Sequence, residues 1–72
     1  MVRYFFHVIG GDLPIEDDEG TLFPDTSDAM AHAEIIANEL ALDDDQYHGH
    51  AVVVMDERKN AIARVPIIRR MN

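Results

Sequence analysis

The sequence predicts an α+β domain of two layers, β-β-α-β-β, in which an antiparallel four-stranded sheet of order 2-1-3-4 carries one helix packed on one face. Three observations predict it. Residues 25–42 are the only stretch with helical periodicity over a helix's length. Aromatic and β-branched runs flank that stretch in pairs, and short turn-forming connections make each pair a hairpin. A right-handed crossover through the helix then lays the first strand beside the third. The 72 residues form a single small domain, 1–72, with room for one core.

Residues 2–9, VRYFFHVI, form the first strand. Alternation places Val2, Tyr4, Phe6 and Val8 on one face and Arg3, Phe5, His7 and Ile9 on the other, and the wholly apolar even set is assigned to the core. Without a basic groove around them, Tyr4, Phe5 and Phe6 read as packing residues and not as base-stacking platforms. Gly10-Gly11-Asp12 marks a turn. The loop that follows carries four consecutive acids, Glu16 to Glu19. An unbroken acidic block points neighbouring carboxylates in different directions, unlike the alternating ligands of a calcium loop. Asp17 and Asp18 are thus read as solvated carboxylates. Thr21-Leu22-Phe23 returns as a short second strand, stopped by Pro24.

Asp25 suits the helix N-cap, where its carboxylate accepts from free amides of the first turn. At 100° per residue, Ala29, Met30, Ala33, Ile36, Ala37, Leu40 and Ala41 fall within an arc of about 140°, a stripe wide enough to cover a core. Its alanines let the helix axis approach the sheet closely. On the outer side Ala31, Ile35, Asn38 and Leu42 are spaced 4, 3 and 4, the spacing of a helix-pairing seam, which makes Ile35 and Leu42 candidate interface residues. Asp43, Asp44 and Asp45 oppose the negative pole of the helix and end it near Leu42.

Residues 50–56 form the third strand, with Ala51, Val53 and Met55 on one face and His50, Val52, Val54 and Asp56 on the other. Glu57-Arg58-Lys59-Asn60 is a turn with Asn60 at positive φ, leading into a fourth strand over 61–68. Pro66 marks that strand as an edge, and residues 69–72 are expected to be a loose tail. The face away from the helix is expected to carry Phe5, Ile9, Val52, Val54, Ile62 and Ile68. That is too much apolar surface for a small monomer to leave wet. A homodimer through this face or the outer helix face follows, and on that reading Val52→Glu splits the dimer and leaves the fold intact.

Hydrophobic content of 47% with 28% charge is that of a folded chain. The absence of cysteine removes disulfides, thiol nucleophiles and thiolate metal sites, and suits a reducing compartment, the cytoplasm. The apolar start, broken by His7, is too short and aromatic for a signal-peptide core, and no run approaches the ~20 apolar residues of a membrane span. The net charge of −8 disfavours direct binding to nucleic acid. Charge is lopsided: residues 1–57 hold all 14 acids and only Arg3 among the bases, whereas 58–72 hold Arg58, Lys59, Arg64, Arg69, Arg70 and no acid. Such an end can neutralise the rest of its own fold, or be offered to a partner or a second copy.

The opening RYFFHV, the acidic loop ending in Glu19-Gly20 before a short L-x-P-D, the alanine-rich helix and the closing VVVMDERKNAIARVPI resemble a family of uncharacterised short bacterial proteins, a domain of unknown function. Its members share an R-[YF]-[FY]-F-[HD] start and a V-x-D-E-x-G-x-x-x-x-V-P ending. The resemblance implies no activity and no catalytic residues. A looser likeness, to HicB-type antitoxins, rests on Asp25-Thr26-Ser27-Asp28-Ala29 and the order of elements, and implies at most an acidic partner for a basic protein.

His48-Gly49-His50 is the one cluster of ligand-type side chains close in sequence. If extended, His48 and His50 point the same way, and His7 on the neighbouring strand could add a third nitrogen to a metal site. Ser27, the only serine, belongs to the first turn of the helix, and no phosphate loop, G-x-S-x-G or metalloprotease motif occurs. The expectation is a non-catalytic, cofactor-free interaction or regulatory module acting as a homo-oligomer. The alternatives are a metal-binding protein or metal-dependent enzyme using His48 and His50, and an antitoxin-like acidic partner of a basic protein.

Overall fold

The computed structural model describes residues 1–11, 14–43, 47 and 49–68. The chain runs through β1 (Val2–Ile9), β2 (Thr21–Phe23), α1 (Thr26–Asp43), β3 (Ala51–Met55) and β4 (Ala61–Pro66). The strands form one antiparallel sheet in the order β2-β1-β3-β4, with α1 packed on one face, the predicted α+β architecture. Residues 69–72 lie outside the described residues.

The alternation of β1 decides the two faces. Tyr4, Phe6 and Val8 are buried under α1, while Phe5, His7 and Ile9 are half-buried on the opposite face. Directly paired residues of an antiparallel ladder share a face. Because Phe6 pairs with Val54 and Val8 with Val52, both valines lie under the helix and are 0% exposed, not on the open face where the sequence reading put them. Ile62 moves as well. The β3–β4 register shifts between Val54 and Met55, so that Val54 pairs with Ala63 and Met55 with Ala61. Ile62 is the extra residue of this bulge and packs against the core. The open face is therefore carried by Phe5, His7 and Ile9 of β1 and Ala51, Val53 and Met55 of β3, with Arg64 of β4 beside Val53 and Arg3 at the start of β1 on the same face.

Asp25 caps α1 as expected: its Oδ1 accepts the Asp28 amide at 2.9 Å. Ala29, Ala33, Ala37 and Ala41 form a buried row of i, i+4 neighbours, which brings the helix close to the sheet. The buried stripe is turned slightly from the predicted one. Met30 is exposed, and His32 packs instead, its ring 5.0 Å from Phe6 and 5.2 Å from Phe23. After Pro66 the chain leaves the strand ladder, yet the Ile67 amide donates to the His50 carbonyl at 2.8 Å and the Ile67 side chain closes the core.

The β3–β4 turn is organised by Asp56, whose Oδ1 accepts the amides of Arg58 and Asn60, each at 2.9 Å. Lys59, not Asn60, takes the left-handed conformation, with φ 65°. A left-handed non-glycine residue is strained by roughly 1–2 kcal/mol, partly offset by the greater chain entropy glycine loses on folding. Lys59→Gly should therefore raise unfolding free energy by about 0.5–1 kcal/mol in urea titrations.

Candidate functional site

On the open face a groove of about 620 Å³ runs across β1 and β3. Phe5, His7, Ile9, Val53 and Met55 form its floor; Pro14 and residues 16–18 make one wall, and Asp56, Glu57 and Lys59 the other. Both walls are anchored to β1 by hydrogen bonds in which a carboxylate accepts from a backbone amide.

The first wall is the acidic loop, which the structure shows pinned along the edge of β1 and not freely solvated. Ile15 and Val8 exchange two backbone hydrogen bonds of 2.9 Å. Beyond them the carboxylate of Asp17 replaces a strand carbonyl. Its Oδ2 accepts the Phe6 amide at 3.2 Å, and its Oδ1 accepts the amides of Glu19 and Gly20 at 3.2 and 3.0 Å. Burial works against ionisation of this carboxyl, but the amides of Gly20, Phe6 and Glu19 outweigh it and hold the pKa below the ordinary carboxylate range. Gly20 closes the turn at φ 72°, where a Cβ would come within 2.9 Å of the Tyr4 carbonyl oxygen. The Asp17 amide donates to His7 Nδ1 at 3.1 Å, an acceptor role that places the imidazole proton on Nε2.

In the second wall, Glu57 Oε1 accepts the Arg3 amide at 2.9 Å, tying the hairpin to β1. The Asp56 carboxyl is held below its ordinary pKa, first by the Asn60 amide, acting against desolvation, and further by the Asn60 side chain and Arg58. Three of the five acids lining the groove thus have their carboxylates turned to backbone amides. Glu16 and Asp18 are exposed at the rim.

The predicted site residues divide accordingly. Phe5 and Ile9 line the groove, Val52 and Val54 lie in the core, and Ile62 packs against it. Ile35 and Leu42 are 54% and 85% exposed on the outer side of α1, separated from the groove by the sheet. His48 lies outside the described residues. His7 lines the groove, whereas His50 is wedged over the glycine turn after β1: a Cβ on Gly11 would approach its Nε2 to 2.7 Å, and its ring lies 5.8 Å from that of Tyr47. Among the described residues no group of three His, Cys, Asp or Glu side chains is placed to hold a metal ion.

A family model described as a domain of unknown function, DUF6894, matches residues 3–69. The chain belongs to the DUF6894 family. The match takes in the five elements of this DUF6894 domain apart from Val2, and every described residue lining the groove. No curated protein and no solved structure matches it. No helix among the described residues is long and apolar enough to cross a membrane.

Chemically, the groove of the DUF6894 domain offers an apolar floor, one imidazole and an acidic rim. Asp17, the carboxylate nearest His7, is engaged by amides and has a depressed pKa, which makes it a weak base near neutrality. The sequence reading missed Val53 and Met55 as floor residues and Asp17 as the anchor of the wall. For Asp17 a signal was present: an Asp three residues before a Gly is the pattern of a side chain closing its own turn.

Proposed function

We propose that this DUF6894 domain is a non-catalytic protein-interaction module that self-associates through the open face of its sheet. The observation that supports this reading is the groove: the single helix covers one face, and the other carries an apolar floor of Phe5, Ile9, Val53 and Met55 between two anchored walls. Association removes apolar floor from water without a conformational change in the sheet. The lack of cysteine fits a reducing compartment such as the cytoplasm.

Size-exclusion chromatography with light scattering tests the proposal. The expected mass at micromolar concentration exceeds that of the 8.1 kDa monomer. Ile9→Glu, at a half-buried floor position, should return it to the monomer with unchanged circular dichroism, while Leu42→Lys on the outer helix leaves the mass as it was. A monomer at all concentrations contradicts self-association, and loss of association in Leu42→Lys alone moves it to the helix.

A further inference from the structure

We infer, building on the self-association proposed above, that the contact is head-to-tail: residues 68–72 of one copy, Ile-Arg-Arg-Met-Asn, occupy the acid-rimmed groove of the next. Charge argues for it first. Among the described residues the groove is lined by Glu16, Asp17, Asp18, Asp56 and Glu57 and by one base, Lys59, with Arg64 beside the floor residue Val53 on the same face. A two-fold contact places the same patch on both copies, so it would set five lining acids with only Lys59 and Arg64 near them against an equally acidic patch.

The complement is in the same chain. Residues 58–72 contain five basic side chains and no acid, and 68–72 join Arg69 and Arg70 to the apolar Ile68 and Met71. A guanidinium presents a planar fork that suits a carboxylate, and Glu16 and Asp18 are the exposed rim carboxylates. Ile68 and Met71 match the apolar floor.

The path of the chain points to a second copy. Ile67 turns into the core on the helix side of the sheet, and the exposed Ile68 borders a hollow with Glu34, Ala37 and Asn38 of α1. Ile68 thus lies on the helix side of the sheet, opposite the groove of its own copy. A contact between two different patches does not close on itself in pairs; it builds rings or open chains of copies.

The test uses the full chain and two charge-reversed variants, Glu16→Arg/Asp18→Arg in the groove and Arg69→Glu/Arg70→Glu in the tail. The weight-average mass of each is followed by sedimentation against concentration and salt. Each variant alone should need about tenfold more protein to associate. An equimolar mixture should regain the wild-type mass, since each groove then meets a tail of opposite charge, and added salt should weaken wild-type association. If wild type associates and both variants match it, the head-to-tail contact is wrong while self-association stands. If only the groove variant is impaired, something other than the tail fills the groove and the inference fails. A monomeric wild type, including one whose tail folds onto its own groove, overturns both.

Discussion

Val52→Glu should strongly destabilise the fold itself and not act only on contacts between copies. Val52 sits in the central strand β3, 0% exposed, paired with Val8 and beneath the alanine row of α1. A carboxylate there is either buried charged or forced to take up a proton, and it also displaces helix packing that depends on small side chains. Loss of about 3–5 kcal/mol is the expected scale, against a total of roughly 4–11 kcal/mol for a chain of this length. Far-ultraviolet circular dichroism in a urea titration should show a midpoint lowered by about 1 M or more, the ΔΔG divided by an m-value of about 1–3 kcal/mol/M. A midpoint equal to wild type would mean that β3 is paired one residue out of register, with Val53 inward and Val52 on the open face.

Asp17→Ala should cost about 2–3 kcal/mol, more than an ordinary surface acid, since it leaves the amides of Phe6, Glu19 and Gly20 without their acceptor. Asp17→Asn, which keeps one accepting oxygen, should fall between the two. The pH dependence has a definite sign. The folded pKa of Asp17 lies below its unfolded value, so the carboxylate stabilises the fold fully above the unfolded pKa of about 3.9 and loses that effect as pH falls through the lower folded value. Thermal melts of wild type should drop below about pH 4 more steeply than those of Asp17→Asn. Parallel curves for the two proteins would show that the carboxylate is not coupled to folding.

Much of the fold was legible because independent signals agreed. The all-apolar even face of β1, the cap at Asp25 and the two short hairpins left one sheet order compatible with a right-handed crossover. The parity of β3 was not legible. Ala51, Val53 and Met55 are as apolar as Val52 and Val54, so alternation alone could not choose, and pairing with Phe6 and Val8 decides it. Ile62 escaped for a related reason, since a bulge inserts one residue and reverses the alternation around it. Asp17 was hidden among acidic neighbours, its role set by the amides that β1 and its own turn bring to it. Lys59 was legible in retrospect: counted from Asp56-Glu57, the glycine of the family's V-x-D-E-x-G ending falls on position 59, where the backbone is left-handed.

These corrections narrow the surface available for association. Two of the valines expected on the open face are core residues, and what remains is a groove with an apolar floor and acidic walls. The proposed self-association would then depend on Phe5, Ile9 and Met55 and on the rim charge, and a partner that brings basic and apolar side chains together suits this groove better than a mirror copy of the same acids.

Amide chemical shifts of the ¹⁵N-labelled protein, followed over a dilution series from millimolar to low micromolar, test this surface most directly. Shifts of Phe5, His7, Ile9, Val53 and Met55 and of the Glu16–Asp18 wall should move together with concentration, while those of Ala33 and Ile36 on the buried side of α1 stay fixed. Spectra that do not change with concentration, or changes confined to the outer face of α1 around Ile35 and Leu42, would contradict the open sheet face as the site of association.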